Sequence, residues 1–400
     1  MKTEVRSQKT ESSETRSLAE IVEQCRVLLD LPIEEFAAQW KIAHPGVKLV
    51  GTFPVYAPVE LVYAMGLQPV GLFGGGHKIE IQHADARFQS FVCSISKSTL
   101  ELGLQKKLGD LDALLFESIC DVARNLSSVF KRNFPQVHVE YIHLPQNMAS
   151  AGVEDYLVAE YQRVADNLER TLGAKYSREG MEMSLRAFNA SRRAWRELYD
   201  LRREFPHRLS TTDLYVLGRV GTRLTPLEHA NILNAAQSVL KQEAGKPKDR
   251  IRVVVEGAFC EQPPVELLQM IEEAGCYIVD DDLLLGWRWF SEDLPVNGTD
   301  PLHVLALSYI HRSLYSSVRH DQAHPRTEML LKKIEAAKAQ AVIFLPAKFC
   351  EPALFDYVLF RKILDEKGIP HLMLEFEEKM WTFERARGEV ETFVESLLFD

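Results

Sequence analysis

No apolar stretch in this chain of 400 residues approaches the roughly 20 residues that a membrane-crossing helix needs. Met1 to Ser17 is polar and of mixed charge, so the apolar segment of a secretory signal is missing as well, and the chain reads as cytoplasmic. Basic clusters are also lacking. The 47 Lys and Arg against 57 Asp and Glu leave a formal charge of −10, which argues against a nucleic-acid partner. Neither a G-x-G-x-x-G fingerprint nor a G-x-x-x-x-G-K-S/T phosphate loop occurs, so any ATP work falls to other chains. Cysteine is scarce: six residues, none in a C-x-x-C pair. That spread excludes the disulfide framework of a small secreted domain and the compact spacing of a zinc ribbon. In a reducing compartment these cysteines stay thiols, and thiolates bind metals.

What the chain does have is alternation of strand and helix. Residues 1 to about 15 read as disordered, and Ser17 to about Ala43 carries apolar residues at helical spacing (Leu18, Ile21, Val22, Cys25, Leu28, Leu29). Strands are expected at Lys48 to Phe53, Pro69 to Phe73, Leu111 to Phe116 and Val137 to Leu144. The helices between them are Leu61 to Met65, Cys93 to Leu108 and Asp121 to Phe130. From Val153 to about Glu243 the pattern is helical throughout, at Tyr156 to Leu172, Met181 to Phe205 and Pro226 to Glu243. Gly245-Lys246-Pro247-Lys248 reads as a linker. Beyond it, Ile251 to Glu256, a helix to Ala274 and Cys276 to Val279 form a strand, helix, strand unit. Val342 to Pro346 and Gly368 to Leu374 add strands, and Val390 to Leu398 a closing helix. The expected class is α/β, with two doubly wound parallel-sheet domains, an N-terminal helical lead-in and a helical insert. The expected divisions are 1–46, 47–152, 153–247 and 248–400.

Ligands of such sheets collect beyond the carboxyl ends of strands. Cys350 stands there, after Val342-Ile343-Phe344-Leu345-Pro346; Cys120 follows Leu111 to Phe116 in the same way, and Cys93 precedes a helix. A thiolate at a helix N-terminus is favoured by the macrodipole and the unpaired amides. Three thiols of this kind suit a 4Fe–4S cluster with one iron left for another ligand, though spacing alone does not choose it. Cys260, in the loop after Ile251 to Glu256, is a possible fourth residue of the same cleft, whereas Cys25 and Cys276 read as core thiols.

Other features carry two readings each. Gly74-Gly75-Gly76 makes a tight turn or lets backbone approach a cofactor. Asp280-Asp281-Asp282 caps the next segment or binds a divalent cation. His320 and His324 have the spacing of a helical metal pair but are followed at once by Pro325. The basic face of Arg186, Arg192, Arg193, Arg196, Arg202 and Arg203 reads as solvated, the alternative being contact with an acidic partner or a coenzyme phosphate.

Several stretches resemble one family. They are Gly51-Thr52-Phe53-Pro54-Val55-Tyr56 with Pro58 to Val70, Phe91-Val92-Cys93-Ser94, Ser118-Ile119-Cys120-Asp121 with Arg124-Asn125-Leu126, and Lys348-Phe349-Cys350-Glu351-Pro352. In this order, from about residue 18 onward, they are similar to the benzoyl-CoA reductase and 2-hydroxyacyl-CoA dehydratase family. Val255 to Pro264, Ala274 to Tyr277, Asp280 to Asp282 and Leu144-Pro145-Gln146-Asn147 look most like the C subunit, the smaller of the two that bear clusters, in the ATP-dependent (class I) benzoyl-CoA reductases.

The resemblance implies that Cys93, Cys120 and Cys350 ligate a 4Fe–4S cluster. It implies a heterotetramer of anaerobic aromatic degradation, with a homologous cluster-bearing subunit and two ATPase subunits that use ATP and Mg. That complex takes electrons from reduced ferredoxin and reduces the ring of benzoyl-CoA, or a substituted benzoyl-CoA, to a cyclic dienoyl-CoA. Protons must follow the electrons, and His83, Tyr63 and Lys348 are the candidate donors. Arg385-Ala386-Arg387-Gly388-Glu389-Val390-Glu391 departs from the Thr-Arg pair and acidic helix usual in the dehydratase branch. A subunit of a radical 2-hydroxyacyl-CoA dehydratase is the enzyme alternative, and a non-catalytic scaffold subunit is the alternative from another class.

Overall fold

A computed structural model describes residues 16–76, 79–242, 245–283, 292–296, 298–313, 316, 318–319, 325–377, 380 and 382–399. Residues 1 to 15, His320 and His324 lie outside the described residues. The lead-in is two helices, α1 (Leu18–Asp30) and α2 (Ile33–Ala43), separated at Pro32 and opened by a capping box between Ser17 and Glu20. Cys25 is buried on the core face of α1, as its place in the apolar stripe predicts.

The first sheet takes β1 (Leu49–Thr52), β2 (Gln68–Gly71), β3 (Ala113–Glu117) and β4 (His138–Ile142), all parallel, in the order β2-β1-β3-β4. Parallel neighbours demand crossovers, supplied by α3 (Val59–Ala64), α4 (Ser94–Leu104) and α5 (Asp121–Asn133). The second sheet repeats the winding. Its strands are β5 (Ile251–Glu256), β6 (Cys276–Asp281), β7 (Ala341–Phe344) and β8 (His371–Met373), parallel and ordered β6-β5-β7-β8. In each sheet the first and third strands along the chain are neighbours, and the winding reverses between them. Such a switch point opens a crevice at the carboxyl ends of those two strands.

Between the sheets run α6 (Val153–Leu172), α7 (Arg178–Glu204), α8 (Thr211–Val220) and α9 (Pro226–Leu240). The helix α8 is an addition to the sequence reading. Gly218 inside it and Gly221 at its end weaken the helical signal, while Leu214, Leu217 and Val220 supply its buried side. After β5 come α10 (Val265–Glu273), α11 (Pro301–Arg312), α12 (Arg326–Ala337), α13 (Glu351–Lys367) and α14 (Glu384–Phe399). Buried apolar residues from Leu18 to Val394 join into one core that includes both sheets. A smaller cluster around Val254, Val342, Phe344 and Phe360 packs α12 and α13 on the second sheet. Among the described residues no helix is long and apolar enough to cross a membrane.

The solvated reading of the basic face holds for the exposed Arg186 and Arg193 and is corrected for Arg192 and Arg202, which are buried. At 27 residues α7 is about 40 Å long, enough to reach from one sheet to the other. Arg192 pairs with the buried Glu60 on α3, and Arg202, itself buried, lies 2.6 Å from the Asp281 carboxylate that ends β6. Arg203 reaches Asp280 at 2.7 Å, and Arg193 and Arg196 share Asp293. The acidic partners belong to this chain. Asp280 and Asp281 thus serve α7, Asp281 also accepts the Leu283 N–H at 2.9 Å, and Asp282 accepts the Gly257 N–H at 2.8 Å. Capping is the role these carboxylates have in the structure, together with ion pairing. Cys276 is fully buried in β6, in line with its core reading.

Candidate functional site

Three of the six cysteines occupy the same local position, the residue that caps the N-terminus of a helix. Cys93 precedes α4, Cys120 precedes α5 and Cys350 precedes α13. The Cys120 sulfur accepts the Ala123 N–H at 3.4 Å, and the Cys93 sulfur lies 3.3 Å from the Ser96 hydroxyl. Each thiol therefore sees the partial positive charge and unpaired amides of a helix start. Phe349, just before Cys350, has φ +63°, a left-handed turn that swings the chain from β7 into α13. Cys260 follows β5 in a loop without a helix of its own and is buried.

The structure brings Cys93, Cys120 and Cys350 into mutual range and places Cys260 with them. Burial, then the Glu261 carboxylate, then the Cys350 and Cys120 sulfurs push the Cys93 thiol well above its usual range, against the pull of Ser96. Burial raises Cys120 to about 11; the Ala123 N–H opposes this and Cys350 adds to it. Cys260 is raised first by a hydrogen bond with the Cys350 sulfur, then by burial and by all three other thiols. Such groups give up their protons only when a cation takes over the thiolate charge.

The donor set fits a metal group of the iron–sulfur type: sulfurs alone, buried at Cys93 and Cys350 and half-buried at Cys120, each at a helix N-terminus, from loops of both sheets. Among the described residues no three His, Cys, Asp or Glu side chains stand at the separation of ligands around a single ion. A cubane cluster binds its thiolates through different irons and holds them farther apart than one ion does.

Glu261 ties the two switch points together. Its buried carboxylate accepts the Ile95 N–H at 3.1 Å and the Ser94 hydroxyl, capping α4 from the other sheet. Neighbouring it is an open cleft of about 700 Å³, within the range of small-molecule sites, whose wall includes Glu261, Gln262, Arg219, Arg223 and Gly74 to Gly76. Gly74 and Gly76 have φ +75° and +55°, backbone that favours glycine, and the triple glycine lines the cleft.

The three candidate proton donors are dispersed. Lys348 is on the Cys350 loop, half exposed, with its ammonium 2.5 Å from Glu377. His83 lies 2.9 Å from Glu101; although burial works to raise that carboxyl, hydrogen bonds from His83, Gln105 and Ala84 pull it down to about 2. Glu101 is two turns along α4 from Cys93, about 12 Å, so His83 belongs to the far end of that helix. Tyr63 sits edge-on to Phe188 at 5.9 Å, and burial and Glu228 raise its phenol.

Sequence reasoning missed three residues beside the first switch point. Val55 and Tyr56, after β1, are consecutive buried residues at φ +79° and +67°, a strained conformation for a β-branched and an aromatic side chain. Nothing in Phe53-Pro54-Val55-Tyr56 signals it. Glu117, the last residue of β3, is buried with neither carboxylate oxygen hydrogen-bonded, and burial raises it well above the carboxylate range. An acid closing the apolar run Leu114 to Phe116 was its only trace in the sequence.

The family model described as 2-hydroxyglutaryl-CoA dehydratase, D-component, matches residues 54–397. The C subunit of benzoyl-CoA reductase from Thauera aromatica is 35% identical over 383 residues, covering 95% of this chain and 99% of that protein. The beta subunit of lactoyl-CoA dehydratase from Anaerotignum propionicum is 30% identical over 89% of this chain and 93% of its own length. The beta subunit of (R)-2-hydroxyglutaryl-CoA dehydratase from Acidaminococcus fermentans is 27% identical over 88% and 93%.

Proposed function

Since the chain belongs to the 2-hydroxyglutaryl-CoA dehydratase D-component family, we propose that it is the iron–sulfur subunit of a benzoyl-CoA reductase. The observation that carries this reading is the meeting of Cys93, Cys120 and Cys350, each at the head of a helix, at the paired sheet ends. When bound, a 4Fe–4S cluster supplies single electrons at low potential. The protein's part is to hold three thiolates, to surround them with buried apolar residues such as Val92, Ile119 and Ala353, and to keep the negative Glu261 beside Cys93. Negative charge at that point opposes the addition of an electron and so lowers the potential.

The complex we infer contains a homologous cluster-bearing subunit and two ATPase subunits. ATP with Mg and reduced ferredoxin enter through those partners, and benzoyl-CoA or a substituted benzoyl-CoA is reduced to a cyclic dienoyl-CoA. Lys348 is the proton-donor candidate on a thiol-bearing loop; His83 and Tyr63 stand elsewhere and would act only through partners or substrate.

The test is iron, acid-labile sulfide and low-temperature EPR on the anaerobically purified complex, wild type against Cys93→Ser, Cys120→Ser and Cys350→Ser, with Cys276→Ser as control. Loss of one cluster signal in the three and not in the control is the expected result. Assays of ring reduction against water loss from a 2-hydroxyacyl-CoA then separate the reductase from the dehydratase reading, which the lactoyl-CoA dehydratase relative favours. A complex without iron would make the chain a scaffold.

A further inference from the structure

The wall of the cleft beside Glu261 holds a cation that the chain does not neutralise. Charged side chains are rarely buried without a partner, and Arg192 and Arg202 obey that rule by facing Glu60 and Asp281. Arg223 also is buried, at 8% exposure, and it lines the cleft. Among the described residues no carboxylate pairs with it, although Asp30, Glu34, Glu261 and Glu266 stand on the same wall. It gives one N–H to the Leu31 carbonyl at 3.1 Å, at the end of α1, and lies over the Phe36 ring at 4.9 Å. A guanidinium has five donors, so that carbonyl does not exhaust it. The charge beside Arg223 is a second cation: burial first, then Arg219, pull its pKa down to about 10.

Both guanidiniums are held in place. Arg219 lies over the Phe73 ring, 3.6 Å from its centroid, and Phe73 leads directly into Gly74 to Gly76. The turn between the two arginines is pressed on the end of β2. There the Gly71 N–H bonds the Thr222 carbonyl at 3.2 Å, and a Cβ on Gly71 would meet the Thr222 side chain at 2.8 Å. Lys107 and Tyr215 line the same space of about 700 Å³. Planar guanidinium forks match phosphate oxygens, glycines let a ligand approach the backbone, and the volume suits a small molecule rather than a lone ion.

We propose that this cleft is a binding site for a phosphate-bearing ligand of nucleotide size, with Arg223 and Arg219 holding the phosphate. Two reactants of the proposed reaction carry that chemistry, a free adenine nucleotide and the phosphoadenosine end of a coenzyme A thioester. The site needs no metal, so it stands apart from the reading of the thiols as cluster ligands.

The experiment titrates the full chain, purified without oxygen, with coenzyme A, dephospho-coenzyme A, ADP and orthophosphate in a calorimeter. Wild type is compared with Arg223→Lys, Arg223→Gln and Arg219→Gln. Saturable binding of coenzyme A or ADP is expected, weaker by about 10- to 100-fold in the glutamine variants and partly restored in Arg223→Lys. A loss of affinity from coenzyme A to dephospho-coenzyme A supports the site with the thioester as its source; equal affinity for ADP supports it with the nucleotide. Thermal unfolding without ligand accompanies each titration. Should Arg223→Gln prove less stable than wild type, Arg219→Gln, whose side chain is half-buried, decides the matter. Three results would overturn the site: no saturable binding, orthophosphate held as tightly as the larger ligands, or glutamine variants that bind as wild type does. The coenzyme A titrations are repeated on the whole complex with wild type and Arg223→Gln. A difference that vanishes there would mean that a partner subunit fills the cleft, and would overturn the site as well.

Discussion

Glu261 and Ile95 are joined across the two sheets by a hydrogen bond of 3.1 Å from the Ile95 N–H to the Glu261 carboxylate. The residue after Cys260 thereby caps the helix that Cys93 begins. The loop that carries Cys260 and the helix that Cys93 begins are thus fastened to one another.

Removal of that cap exposes the dependence. Glu261→Ala leaves the Ile95 amide and Ser94 hydroxyl without their carboxylate and is expected to cost about 1–2 kcal/mol. Glu261→Gln keeps an accepting oxygen and should lose less. Urea unfolding measures the cost; equal behaviour of both variants and wild type would deny the cap a role.

The buried pair of Arg202 and Asp281 fastens α7 to the second sheet. Arg202→Met strands a buried carboxylate and should cost about 3–5 kcal/mol, whereas Arg202→Met with Asp281→Leu removes both charges and should recover much of it. A double-mutant cycle by denaturant unfolding gives the coupling. Additive losses would mean that the two charges do not depend on each other.

Acid sensitivity has an identifiable source in His229. The ring is fully buried, with Ser191 and the Leu217 carbonyl each at 2.8 Å; burial lowers its pKa to about 4 from 6.5, the Leu217 bond resisting. Between those values the unfolded chain binds a proton that the folded chain refuses. Stability is therefore full above about pH 6.5, falls as the pH drops toward 4, and is flat below. The whole change is on the order of 3 kcal/mol. His229→Gln should flatten this part of the pH profile of urea midpoints, and a profile parallel to wild type would place the acid sensitivity in other groups.

One substitution should stabilise. Lys338, exposed at the end of α12, has φ +50°. Lys338→Gly removes the left-handed penalty and pays only the lost entropy of the unfolded chain, a net gain of about 0.5–1 kcal/mol. Thermal unfolding checks it; a lower midpoint would show that the lysine side chain contributes there.

The eight strands were legible because buried parallel strands read as apolar runs, and most helices of the first half because their apolar residues recur at helical spacing; α8, α11, α12 and α13 were not read from the sequence. Cys93, Cys120, Cys350 and Cys260 were legible as strand-end or helix-start thiols for the same reason. What the residues could not disclose is who meets whom. Glu261 finds Ile95 at a separation of 166 residues, and Arg192 finds Glu60 at 132, so a cap and a buried ion pair looked like surface charge. The left-handed turn at Val55 and Tyr56 is set by the packing around it, including the Tyr56 hydroxyl bond to Ser316 at 2.9 Å, and leaves no mark in local composition.

The two sheets share one winding order, and the thiols are divided between them, Cys93 and Cys120 in the first half, Cys260 and Cys350 in the second. A group held by these four sulfurs would act also as a rivet through the seam. Its loss would let the halves part before either sheet melts, so hydrogen exchange should quicken first at the starts of α4, α5 and α13 while β3 and β5 stay protected.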